Sequence, residues 1–276
     1  FCEYDYDWED LKTIYKQVLE LIKENPSYLI DQENYQRELW EAGIILAKEV
    51  RTKELSELGK EELLCLYQKI FHAYSETASV SHLIESFVLM DEELKDKLMR
   101  YYEKSEKKEK FNTYFTKLTQ PIRPSFTNDE TISLLKIVKY IKENNLNINN
   151  LDDPETMKLI KKHQEDFCWV RCNYADGEES PLEYFIEEIK TLIKNNIEPI
   201  NGLKEEKEKY EFNIKEKKRV ISELNITDDS TLQMINLSEQ LLHFQDDRKK
   251  VILIILSKLN KVLLEISKQY KLNPRL

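Results

Sequence analysis

Glycine and proline are scarce, with 4 and 7 residues in a chain of 276. Sandwiches and barrels need many tight turns, so this shortage argues against both. The glycines, Gly43, Gly59, Gly177 and Gly202, also stand far apart. Phosphate-cradling loops need several within a few residues, so the chain has neither a P-loop nor a dinucleotide fingerprint and should not bind ATP by itself. Cysteine is equally sparse: Cys2, Cys65, Cys168 and Cys172 are too few and too scattered for a secreted disulfide framework, which points to a reducing cytoplasm. No long apolar run exists. The nearest, Val251 to Ile266, is broken by Lys258, Lys261 and Glu265 and falls short of the ~20 apolar residues of a membrane span, so it reads as a buried core helix. Excess positive charge is missing too. With 42 Lys and Arg against 52 Asp and Glu the net charge is −10, which disfavours non-specific contact with nucleic acid or an anionic membrane. No G-x-S-x-G elbow and no H-E-x-x-H motif occurs; His72 and Glu76 form a helical i,i+4 pair that reads as a surface contact.

What is present is helical periodicity. Charged residues make up 34% and hydrophobic ones 41% of the chain, which suits long helices with solvated outer faces. Leu11, Ile14, Val18 and Leu21 form one stripe, on a helix that should end before Asn25-Pro26 because the residue before proline disfavours the helical region. Tyr35, Leu39, Ala42, Leu46 and Val50 predict a second helix. Leu63, Tyr67, Ile70 and Tyr74, continued by Leu83 and Phe87, predict a longer third, and Asp91 is placed to cap a fourth. Lys104 to Lys110 alternates charge without an apolar period and marks a boundary. It divides the chain into an N-terminal helical subdomain, 1–105, and a C-terminal one, 106–276.

Thr127-x-x-Glu130 has capping-box spacing, and Asp153-Pro154 and Ser180-Pro181 each set a capping side chain before a proline at the first helical position. Leu203, Tyr210, Ile214, Ile221 and Leu224 approach a coiled-coil seam, and a last helix of about 230 to 270 carries Val251 to Leu256, apolar on all sides. The expected fold is an all-α, multi-helix bundle with a C-terminal antiparallel helical hairpin over 203–270.

One segment breaks the period. Phe167 to Gly177 is dense in aromatic and β-branched residues and predicts a short extended arm or an ordered loop. His163, Cys168 and Cys172 could supply three soft ligands, but a structural zinc site takes four, so they read as packed residues and no metal or cofactor is expected.

Three segments together carry a family likeness: Leu118-Thr119-Gln120-Pro121 with Ser125-Phe126; His163 to Phe167 with Trp169 and Asn173-Tyr174; and Asp246-Asp247-Arg248-Lys249. In this order, over about 60 to 276, they resemble the helical region of phosphoenolpyruvate-utilising phosphotransferases, the phosphoenolpyruvate synthase-like and rifampin phosphotransferase-like proteins. In that family an ATP-binding domain phosphorylates a histidine on a swivelling domain, and the helical part is implied to hold the substrate. The chain departs from the pattern in lacking the Gly-rich nucleotide site, and His82 lacks the glycines that precede the phosphorylatable histidine. The resemblance therefore implies a non-catalytic helical substrate-binding or scaffold module, with ATP-binding and phosphohistidine domains as expected flanking partners. A start at Phe1 without Met and a finish at Leu272 to Leu276 fit a piece of a longer polypeptide.

Within that reading Arg171 and Arg248 are the anion contacts, because a guanidinium presents a planar fork to phosphate or carboxylate. Trp169 and Tyr174 would line the apolar side of an unidentified small-molecule substrate. The alternative is a stand-alone helical protein-protein interaction scaffold that uses its hairpin face.

Overall fold

A computed structural model describes residues 7–25, 27–81, 90–106, 108–146, 153–174 and 177–273. The expectations about the N-terminal six residues, about His82, Leu83 and Phe87, and about the last three residues fall outside them. The described residues form helices α1 (Trp8–Glu24), α2 (Tyr28–Thr52), α3 (Lys60–Ser81), α4 (Met90–Lys104), α5 (Phe111–Thr119), α6 (Phe126–Glu143), α7 (Pro154–Phe167), α8 (Leu182–Lys194), α9 (Pro199–Glu223) and α10 (Asp229–Tyr270). A short 3-10 turn, Leu55–Glu57, lies between α2 and α3. There is no strand among the described residues, so the fold is the expected all-α bundle, and residues 168–174 of the 167–177 segment form an ordered loop.

The helix ends show how a glycine-poor chain stops its helices. Asn145, Asn196, Asn225 and Lys271 take positive φ at 52, 53, 50 and 55°, the left-handed conformation that most chains give to glycine. Each is followed by an apolar residue whose amide reaches back five positions, as in Ile226 N to Ile221 O at 3.0 Å and Leu146 N to Ile141 O at 3.1 Å. Asparagine tolerates this conformation better than other non-glycine residues. At the starts, Asp7 caps α1 and Asp153 caps α7, the latter with Pro154 in the first helical position as its sequence implied.

Three start signals are realised differently. The capping box of α6 is Ser125 with Asn128, two residues earlier than Thr127 with Glu130; Glu130 is buried and meets Arg171 instead. Ser180 does not cap α8; its amide donates to Cys168 O at 2.8 Å, which ties it to the loop, and α8 starts at Leu182. Asp91 lies inside the first turn of α4, which begins at Met90.

The contacts gather into two units, each built from three stretches of chain: 1–37, 79–124 and 207–248 in the first, and 38–78, 125–206 and 249–276 in the second. Both draw on residues from either side of the boundary near 105 that the charge alternation suggested.

In the first unit, Leu94 and Leu98 of α4, Tyr114 and Leu118 of α5, Val220 of α9 and Ile235 of α10 form one core, with Leu224 and Ile226 from the α9–α10 turn. A satellite cluster sets Leu11, Tyr15 and Val18 of α1 against Leu237 and Leu241 of α10. The hairpin seam on α9 is Tyr210, Asn213, Lys217, Val220 and Leu224, a strict three-four repeat. Ile214 is exposed instead, and the apolar pattern of the sequence was out of phase because Asn213 and Lys217 occupy two buried seam positions. Asn213 Nδ2 donates to Pro121 O at 2.8 Å, and Lys217 donates to Glu239 of α10.

In the second unit, Leu134, Ile137, Val138 and Ile141 of α6 pack with Ile160 of α7 and Phe185 and Ile189 of α8. Residues 251–260 of α10 include no exposed side chain, as the apolar run Val251 to Leu256 implied, and Ile255 is 1% exposed. Further on, Lys261, Leu263 and Leu264 are exposed, so the expected core helix is buried on all sides over only part of Val251 to Ile266. Gly43 of α2 makes room for Ile255: a Cβ there would sit 2.5 Å from Ile255 Cδ1.

Candidate functional site

The loop after α7 is shaped by its own short-range bonds. Val170 N donates to Phe167 O at 3.0 Å and Cys172 N to Trp169 O at 2.9 Å, giving two successive tight turns. Trp169 Nε1 donates to Asp166 O at 2.8 Å, its ring leans on Phe126 at 5.5 Å, and the residue is 4% exposed. With Cys168, Cys172 and Leu253 it forms a small core, so the indole staples the loop to the bundle. Burial pushes the Cys168 thiol up to about 11, leaving it protonated at neutral pH and inert.

Arg171 is committed internally. It donates to Glu130 and to Glu188, the second at 2.9 Å, and lies 4.6 Å over the Tyr184 ring. Glu130 is buried and its carboxyl is pushed upward by that burial, against the pull of Arg171. Tyr174 is exposed, and Arg248 is buried and belongs to the first unit. The four residues expected to share a substrate site thus have four different surroundings: a core staple, an internal ion pair, an exposed ring and a buried cation in the other unit.

A different set of side chains converges beside Trp169. Within the second unit, α2, α6, the end of α7 and α10 enclose a cleft of about 560 Å³. Ile44 and Ala47 of α2, Ile132 of α6, Ile254 of α10 and the ring of Trp169 give it apolar walls. Five cations, Lys48, Arg51, Lys136, Lys250 and Lys258, line it against three carboxylates, Asp129, Glu165 and Asp166. In an acidic chain that local excess is unusual. Two of the cations are occupied: Lys258 pairs with Glu179, and Arg51 donates to the Glu165 carbonyl at 3.2 Å. Lys48, Lys136 and Lys250 have no carboxylate partner among the described residues.

Behind the α6 wall lies His163, 2% exposed, with Nδ1 2.8 Å from Ser133 Oγ. The Phe167 and Phe185 rings flank it, each at 4.9 Å. Burial pulls its pKa down to about 4, so the imidazole is neutral in ordinary buffers. Among the described residues no group of three or more His, Cys, Asp or Glu side chains is arranged to hold a metal ion. His72 and Glu76 form the exposed pair expected of them, at 3.3 Å. No helix among the described residues is long and apolar enough to cross a membrane.

No family model, no curated protein and no solved structure matches the chain. The functional reading therefore comes from the cleft and from the sequence resemblance. The cleft lysines carried no signal in the sequence, because they come from three helices far apart in the chain and each looks like an ordinary solvated helix residue.

Proposed function

We propose that the chain is a non-catalytic helical module that holds a small anionic substrate in the basic cleft of its second unit. The observation that supports this is the approach of Lys48, Lys136 and Lys250 to one apolar-walled cleft in which five cations face three carboxylates and these three lysines form no ion pair among the described residues. Left empty, three such cations repel one another; an anion relieves that repulsion and gains hydrogen bonds from their ammonium groups. The resemblance to the helical region of phosphoenolpyruvate-utilising phosphotransferases supports the same reading, with ATP-binding and phosphohistidine domains as the partners that would deliver a phosphoryl group. Of the residues first expected at the site, Trp169 alone lines this cleft.

Calorimetric titration with inorganic phosphate and with phosphoenolpyruvate, at low salt, tests it. Saturable binding that falls at least tenfold in a Lys48→Ala, Lys136→Ala, Lys250→Ala triple variant is the expected result. Absence of binding, or binding indifferent to the three substitutions, refutes it.

A second reading, the interaction scaffold, draws on α3. Leu64 and Phe71 are 41% and 48% exposed on one face, and Tyr67 stacks on Phe71 at 5.9 Å. An exposed apolar stripe of this spacing suits a partner helix. Sedimentation of the chain with and without Phe71→Glu separates the cases: self-association abolished by the substitution favours the scaffold, and a monomer throughout counts against self-docking through this face.

A further inference from the structure

Among the described residues, Ser133 supplies the only hydroxyl that lines the basic cleft. Where its proton goes is decided by His163 behind it. The imidazole has a single hydrogen-bond partner among the described residues, Ser133 Oγ, and its Nε2 is buried without one. Neutral histidine carries its proton on one nitrogen. On Nε2 that proton would make a buried donor with nothing to receive it, between two phenylalanine rings. On Nδ1 it bonds Ser133 and leaves only a bare lone pair at Nε2. Orphaned buried donors are rarer than under-satisfied acceptors, so the Nδ1–H form is favoured and Ser133 Oγ accepts. The serine makes no bond back to the helix carbonyl one turn earlier, and no other partner for it exists among the described residues. Its own proton is left for the cleft.

We infer that Ser133 is the neutral hydrogen-bond donor of the cleft, aimed by His163, and that the ligand is an amphiphilic oxyanion, a phosphate or carboxylate carried on an apolar body about the size of one ring. The inference rests on the anion-binding reading and adds to it. The head group meets the Ser133 hydroxyl and the ammonium groups of Lys48, Lys136 and Lys250, which are all donors. The body meets Ile132, Ile254 and Trp169, which a bare inorganic anion would leave uncovered. Because burial holds His163 neutral down to about pH 4, the donor arrangement persists across the physiological range.

The test is calorimetric titration of the full chain with phenyl phosphate, benzoate and inorganic phosphate, with Ser133→Ala, Ser133→Thr, His163→Phe and the Ser133→Ala, His163→Phe double variant beside it. One or both aryl anions should bind at least tenfold more tightly than inorganic phosphate, and which of them binds names the head group. Ser133→Ala should weaken that binding five- to tenfold and Ser133→Thr should retain it. His163→Phe should weaken it as much as Ser133→Ala does, and the double variant should lose no more, as expected of residues acting in series. Nitrogen NMR of the unaltered chain should show His163 protonated at Nδ1, a readout that remains decisive if a variant fails to fold. A proton on Nε2, or Ser133→Ala binding the aryl anions as tightly as the unaltered chain, overturns the inference. If inorganic phosphate binds but aryl anions gain nothing over it, the inference fails while the anion cleft stands. If none of the three binds, the cleft itself fails.

Discussion

His163 should make the second unit acid-labile well above the pH at which carboxylates titrate. Burial is the main cause of its lowered pKa; the nearby Asp166 charge pulls the value up and Arg171 pulls it down, while Ser133, Phe167 and Phe185 in contact with the ring bring no charge. The unfolded chain takes up the proton near pH 6.5 and the folded one only near 4. Between those values the unfolded state binds more protons, so stability is fully present above pH 6.5 and is lost as the pH falls toward 4. The linkage relation gives a loss of about 2 kcal/mol between pH 7 and pH 5 and a ceiling of about 3 kcal/mol below pH 4. Urea unfolding at pH 7 and pH 5, followed by amide exchange at the fully buried Ile160 and Ile189, reads it. The comparison is His163→Gln, whose absolute stability differs but whose dependence on pH should be flatter by about 2 kcal/mol over the same interval. Equal losses in both proteins would mean that His163 is protonated inside the fold, and the account of a ring neutralised by burial would be wrong.

Other substitutions separate structural from binding roles. Trp169→Ala should destabilise the second unit by about 3–5 kcal/mol in a chemical melt, the range for emptying a large aromatic site. Arg171→Ala removes the partner of buried Glu130 and should cost about 3 kcal/mol, a figure reduced for the partial exposure of the guanidinium; adding Glu130→Gln should recover part of it. Ile255→Ala should lower stability by about 2–4 kcal/mol and Ile254→Ala by about half as much, since Ile255 is enclosed while Ile254 lines the cleft. Gly43→Ala should cost about 1–3 kcal/mol, because its methyl would overlap the buried Ile255 side chain and force it to shift within the core.

Much of the helical layout was readable because three- and four-residue steps recur in nearly every segment and Asp153-Pro154 or Asn25-Pro26 punctuate it. Helix ends at Asn-Leu and Asn-Ile pairs were readable in principle, since each joins a residue tolerant of positive φ to an apolar one that folds back. The α9 seam was read out of phase for a physical reason: two polar residues sit where the repeat wants apolar ones, and their partners, Pro121 and Glu239, lie 92 and 22 residues away. The same reason hid Glu130, which looked like a capping residue until Arg171 met it across 41 residues. Chemistry that depends on side chains from different helices leaves no local trace. Trp169 and Arg171 drew attention as unusual residues in an irregular segment, whereas Lys48, Lys136 and Lys250 did not.

Those two polar residues in the α9 seam bear on alignment. A heptad repeat of apolar side chains can fit its partner helix almost equally well after sliding by seven residues. In this hairpin a slide of that size would bring Tyr210 or Leu224 opposite Glu239 in place of Lys217. It would strand Lys217 without an anion and part Asn213 from the Pro121 carbonyl. Stranding one member of a buried charge pair costs about 3–5 kcal/mol, a large fraction of what holds a domain together. An all-leucine version of the seam should therefore melt at a higher temperature yet populate more than one stagger of the two helices. The native pairs should hold the hairpin to one.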